Sequence, residues 1–221
     1  MSWSPLLLSL EVALLATMLA AVLGVALAGA MARRRFFGRD LLDAMLTAPM
    51  VLPPTVLGYY LLVVLGRDST LGQLYESLTG SPLVFTKAAA VLAGTVAALP
   101  FVVKTARAAM EDVDARLLGA AATLGASPMR VFWTVVLPLS RNGLLAGLTL
   151  GFARALGDFG VTLMVAGNIP GLTQTGALAI YDAVQANRQT QAAGMASVMA
   201  ALAIAVLYFA TKLTRRKPHA W

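Results

Sequence analysis

Arg154 and Asp158 stand four residues apart beside an apolar run, and opposite charges at that spacing share one face of a helix. A lone arginine at the middle of a bilayer costs about 2.5–3.5 kcal/mol on insertion scales, so Arg154 must sit near an interface, be paired, or face water. The two residues therefore either border a polar path or form an ion pair that locks a helix end. Glu11, in the first apolar run, is the remaining intramembrane candidate, expected to reach back to the interface. The chain has no cysteine, and its one histidine, His219, lies in the basic tail. Disulfides, thiolate chemistry and a His/Cys metal site are thereby set aside. The sequence has no G-x-x-x-x-G-K-[S/T] loop to cradle ATP phosphates. An intramembrane enzyme would need a nucleophile or paired ionisable groups within its spans; only Glu11, Arg154 and Asp158 are candidates, and the spans hold no His, Cys or paired carboxylates. No catalytic residue, cofactor or metal is expected.

The elements that must position these residues are hydrophobic. Of 221 residues, 59% are hydrophobic and 12% charged, with a mean hydropathy of +0.78. A soluble domain of this length cannot hide that much apolar surface. The expectation is an all-α polytopic membrane protein forming one domain over 1–221. A crossing needs about 20 apolar residues. Five segments qualify, over about 6–31, 41–65, 84–103, 139–156 and 192–212. Pro49, Pro53 and Pro54 predict a kink in the second. Tyr59 and Tyr60 read as interfacial belt residues. The opening Met-Ser-Trp-Ser-Pro carries no basic region, so the first run reads as a retained span rather than a cleaved signal.

The net charge of +7 fits loops in a membrane protein better than a nucleic-acid partner. Thirteen of the seventeen basic residues fall on one side: Arg33, Arg34, Arg35 and Arg39, then Lys104, Arg107, Arg116, Arg130 and Arg141, then Lys212, Arg215, Arg216 and Lys217. The positive-inside bias places these regions in the cytoplasm, the N-terminus outside and the C-terminus inside.

Between the third and fourth runs lies GAAATLGASPMRVFWTVVLPL, residues 119–139. Asp114 can cap a helix over 115–124, Gly125 can end it in the left-handed conformation, and Ser127-Pro128 can start another. The result is an elbow over about 111–138, on the cytoplasmic side. In the fourth run Gly143, Gly147 and Gly151 form a small-residue stripe that lets another helix approach closely, within the subunit or at a seam between two copies. Beyond it, Asn168-Ile-Pro-Gly171 reads as a turn and 175–184 as a short helix.

The spacing within the elbow carries a resemblance. Ala120-Ala121, three residues, Gly125, nine residues, Val135, one residue, Leu137-Pro138 resembles the signature of ABC importer permeases. Gly119 stands where that signature has Glu, and Val135 where it has Ile. DAMLTAPMVLPPTVLGYYLLVVLGR, residues 43–67, and GFARALGDFGVTLMVAGNIPG, residues 151–171, are similar to pieces of the molybdate branch. What the resemblance implies is a permease subunit moving molybdate across the inner membrane by alternating access; tungstate and sulfate or thiosulfate are the alternative cargoes. It implies a homodimer, two cytoplasmic ABC ATPase subunits and a periplasmic or lipid-anchored oxyanion-binding protein. The elbow, with Asp114, Ala120, Ala121, Gly125, Leu137 and Pro138, would then be the coupling helix seated in each ATPase. Arg154 would attract the oxyanion, and Asp158 would limit how tightly it is held. A membrane scaffold without an ATPase partner is the distant alternative.

Overall fold

A computed structural model of the chain describes residues 3–32 and 36–214. Arg33, Arg34, Arg35, Arg215, Arg216, Lys217 and His219 lie outside the described residues. Among the described residues all regular structure is helical. Three helices are long and apolar enough to cross a bilayer, namely α1 (Ser4–Ala32), α5 (Lys87–Glu111) and α12 (Gln189–Thr214). Two bent pairs raise the number to five if each counts as one span.

The first bent pair is α2 (Arg39–Val51) and α3 (Pro54–Leu65), and the chain turns through 118° between them. Pro49 is carried inside α2; the break falls at Leu52-Pro53, with Pro54 opening α3. Proline at the first helical position gives up no hydrogen bond that the helix needs. The segment expected to be one kinked span is therefore two helices at a steep angle. A short helix, α4 (Thr70–Thr79), follows, capped by the Ser69 hydroxyl accepting from the Gly72 N–H.

The centre of the molecule is α5. Its buried positions run from Ala89 to Met110 and include Pro100 and Thr95. The expected third span ended near residue 103, but the helix continues to Glu111, so Lys104 and Arg107 are helical rather than loop residues. On one side α5 meets α1, whose buried Ala13, Ala16, Ala20, Gly24 and Ala28 recur at helical spacing. A side-chain carbon added at Gly24 would lie 2.8 Å from Val102. Thr95 Oγ1 donates to the Val91 and Ala16 carbonyls, bonding α5 to α1.

Next to α1, and also packed on α5, lies α9 (Arg141–Leu156), antiparallel to α5. Gly143 meets Ala109, Gly147 meets Thr105, and Gly151 meets Val102 and Ala98. The glycine stripe thus packs within the chain. Helices embedded in lipid have no hydrophobic drive to associate, so close backbone approach through small residues has to supply the contact.

Short helices connect the core to its ends. The turn between α5 and α9 contains α6 (Ala115–Thr123), α7 (Pro128–Val131) and α8 (Leu137–Leu139). Beyond α9 come α10 (Gly160–Ala166), α11 (Gly176–Gln185) and then α12. Gly58 of α3 packs on Met164 of α10, and Gly160 packs on Pro54. Most of α12 is exposed. Glu11 is paired, its carboxylate accepting from Lys87 Nζ at 2.9 and 3.0 Å and joining α1 to the start of α5.

Two glycine substitutions separate packing from propensity. Gly147→Ala, which drives a methyl into Thr105, is expected to destabilise by about 1–3 kcal/mol through overpacking, read as a lower midpoint in thermal unfolding of the solubilised protein. At Gly119 an added carbon meets nothing within 4 Å. Gly119→Ala should therefore stabilise α6 by about 0.8–1 kcal/mol, read as slower amide exchange across that helix.

Candidate functional site

The elbow follows from a few local signals. The Asp114 carboxylate accepts from the Arg116 N–H at 2.8 Å and so satisfies one orphan donor of α6. At the other end, Gly125 adopts φ +78°. Its N–H donates to the Ala122 carbonyl at 2.9 Å, and the Ala126 N–H donates to the Ala121 carbonyl at 3.1 Å. These two bonds are the Schellman closure of a helix, which needs a left-handed residue where Gly125 stands. The interval from Ala121 to Gly125 is thus the length of one capped turn. Ser127 then caps α7, its hydroxyl accepting from the Arg130 N–H at 3.4 Å.

The return into α9 is not a continuous α-helix. Phe132–Val136 forms a π turn, in which the Leu137 N–H reaches back to the Phe132 carbonyl. Pro138 has no N–H and its ring crowds the carbonyl four residues back, so a widened ladder just ahead of it accommodates the proline. The chain then bends 71° into α9 at Ser140. Ser140 is buried and its hydroxyl donates to the Ala109 carbonyl at 3.1 Å, tying the end of the elbow to α5.

One side of the elbow is anchored and the other is free. Leu118, Val131, Phe132 and Leu137 pack on a small cluster of Ala28, Ala106, Met110 and Val136. No residue of α6 is buried. Ala120 is exposed and Ala121 half-buried, while Leu117 and Leu124 are 48% and 87% exposed. Pro138 is exposed. A short, small-residue helix with bare leucines is a shape that enters a groove on another protein.

Arg154 and Asp158 lie near the far end of α9, roughly 20 Å from Arg141 by helical rise. Arg154 Nη1 meets Asp158 Oδ1 at 3.0 Å. The other carboxylate oxygen accepts from the Thr162 N–H at 3.0 Å and the Thr162 hydroxyl at 2.7 Å. Asp158 thereby joins the last turn of α9 to the first of α10. Its side chain is 2% exposed and that of Arg154 is 30% exposed. The arginine is the member of the pair that another ion can reach.

Sequence reasoning did not find Thr162, whose role depends on a bend after Asp158. It also did not find the ion-pair network that seats α2. Asp43 accepts from Lys104 at 2.7 Å and from Arg107 at 3.1 Å, while Glu111 accepts from Arg107 at 2.9 Å and from Arg39 at 3.0 Å. Lys104, Arg107 and Glu111 fall at intervals of three and four, the one hint of a shared charged face. Among the described residues no cluster of three potential metal ligands occurs.

The Asp158 junction makes a stability prediction. Thr162→Val removes one charge-assisted donor and should cost about 2 kcal/mol. Asp158→Ala should cost more, about 3–5 kcal/mol, because it also strands Arg154. Thermal unfolding of the two variants in one detergent checks the order.

Comparison with known proteins agrees with this architecture. The chain is 41% identical to the molybdenum transport system permease protein ModB of Escherichia coli (strain K12), over 96% of this chain and 93% of that one. It is 44% identical to the molybdenum transport system permease protein ModB of Azotobacter vinelandii, over 91% and 89%. It is 41% identical to a putative molybdenum transport system permease protein of Bacillus subtilis (strain 168), over 98% and 94%. Among solved structures, an inward-facing MetNI methionine ABC transporter superposes with a TM-score of 0.74 at 15% identity, covering 96% of this chain and 93% of that one. At that identity the likeness shows the fold alone, the all-helical one of that transporter's chain. The model for binding-protein-dependent transport system inner membrane components matches residues 20–217, and the chain belongs to that family.

Proposed function

We propose that this chain is the membrane-spanning subunit of an ATP-driven molybdate importer, working as a homodimer with two cytoplasmic ATPase subunits and an external oxyanion-binding protein. The observation that carries the reading is the elbow: a capped helix with no buried residue, presenting Leu117 and Leu124 while its base is fixed to α1 and α5. The molybdenum permeases at 41–45% identity supply the cargo. The elbow faces the cytoplasm, as the basic residues of the turns require, and the first residues face outward.

In this reading the ATPases grip α6, and their closure moves the elbow. Ser140 and the α9 glycines pass that movement along α5 as a rigid body. Asp114 and Gly125 hold the gripped helix in shape, and Pro138 sets the bend behind it. Arg154 borders the path and attracts the anion, while Asp158 holds it in place and offsets its charge.

Gly125→Val forces a β-branched residue into φ +78°, a penalty of about 1–2 kcal/mol or roughly tenfold in population. Co-purification of the ATPase is expected to fall by about that factor with helix content unchanged. In proteoliposomes, ATP hydrolysis should be stimulated by binding protein loaded with molybdate more than with tungstate or sulfate. Equal ATPase recovery with Gly125→Val would count against the elbow as the coupling element; stronger stimulation by sulfate would change the cargo.

Arg154→Ala should lower molybdate uptake by about tenfold or more, the worth of a charged contact, with Arg154→Lys retaining part. Normal uptake by a well-assembled Arg154→Ala protein would leave the pair a purely structural one.

A further inference from the structure

The free face of α6 carries one charge, Arg116. Leu118 marks the opposite face: it packs on Ala28 of α1 and on Ala106 and Met110 of α5. Ala122, one turn further on, borders the same hollow against α1 as Leu118 does. Arg116 stands two residues before Leu118, about 200° away around the helix, and so projects from the other side. It is exposed, as are Gly119, Ala120 and Thr123, which share its face. Thr123 donates its hydroxyl to the Ala120 carbonyl, and a carbon added at Gly119 meets nothing within 4 Å. Arg116 thus rises from a floor of small side chains, flanked by the exposed Leu117 and Leu124.

Nothing in the chain balances that charge. Among the described residues the Arg116 guanidinium has no ion-pair partner, unlike Arg39, Lys104 and Arg107. Asp114 spends its carboxylate on the Arg116 backbone N–H. Asp112, four residues earlier, ends α5 and makes no ion pair with Arg116. One turn further on stand Gly119 and Ala120, so α6 offers no acid at helical spacing. The position also runs against the helix field. Arg116 is the second residue of α6, at the positive end of the macrodipole, where an acid is favoured and a cation is not. A cation kept bare at a local cost is accounted for by an acid on another molecule.

We propose that Arg116 is the charge that seats α6 in the ATPase subunit, where it meets an Asp or Glu carboxylate lining the groove; the inference rests on the reading of α6 as the gripped element. The bare floor at Gly119 and Ala120 lets a carboxylate reach the guanidinium edge-on, the geometry of a two-bond arginine–carboxylate pair. Leu117 and Leu124 contact the groove on one flank and shield the pair from water. The pair selects the partner as well as holding it, because an ATPase with a cation at that spot is refused by like charge. A lipid phosphate is the poorer match, since the side of α6 that faces the bilayer-crossing α1 and α5 carries Leu118 and not Arg116.

The test uses the full-length chain in detergent and the ATPase subunit that co-purifies with it. Arg116→Ala is expected to weaken binding about tenfold and Arg116→Glu about a hundredfold, while Arg116→Lys keeps most of it. Raising the salt should weaken binding of the parent more steeply than that of Arg116→Ala. Arg116→Glu places an acid at the positive end of α6, so amide exchange across the helix should be no faster and the loss is not unfolding. With Arg116→Lys, a carbodiimide should join the new amine to an Asp or Glu of the ATPase as an amide, taking up the water as its urea, and peptide mapping then locates that carboxylate. Equal ATPase affinity of the parent and Arg116→Glu would overturn the proposal; weaker binding of that variant to phosphatidylglycerol vesicles would then assign the arginine to a lipid headgroup. If Gly125→Val still loses the ATPase in that case, the elbow remains the coupling element without the charge. If both variants bind like the parent, the coupling reading falls as well.

Discussion

The approach of α9 to α5 constrains everything else. Where Gly143 and Gly147 cross Ala109 and Thr105, a further side-chain carbon would collide with the facing side chain, and at Gly151 it would press on Val102. In a bilayer, burial of apolar surface gives no drive for helices to associate, so contact density at such a seam takes its place. The elbow is the connection between these same two helices, and Ser140 bonds back to α5 just where α9 begins. The connection is thus tied to both helices, and the Arg154–Asp158 junction sits at the far end of α9.

The parts legible in the sequence are those fixed by neighbours along the chain. The elbow is readable because Asp114, Gly125, Ser127 and Pro128 each impose a backbone state on their own turn. Residues 176–185 form the short helix expected near there for the same reason. The Arg154–Asp158 pair is a four-residue interval and needs no tertiary knowledge. The stripe of glycines announced a close contact, though not its partner; only the fold shows that α5 is what they meet.

What escaped depends on distant residues. Prolines near 53 promise a break, but the angle of 118° is set by what α2 and α3 each pack against, α5 and α10 respectively. The cations Lys104 and Arg107 look like loop charges until α5 is seen to run on to Glu111. Their partner Asp43 is about sixty residues earlier. Thr162 completes the Asp158 site only because the chain turns at Gly157 and restarts at Gly160. The π turn before Pro138 had a warning in the proline itself, but its register belongs to the packed elbow.

The seating of α2 differs in kind from that of its neighbours. It has no buried residue, and what holds it to α5 is a set of partly exposed charges, Asp43, Lys104, Arg107, Glu111 and Arg39. Contacts between alanines and glycines are indifferent to dissolved electrolyte, whereas exposed charge pairs weaken as counterions crowd in. This corner of the molecule is therefore one whose seating depends on the ionic strength of the surrounding fluid.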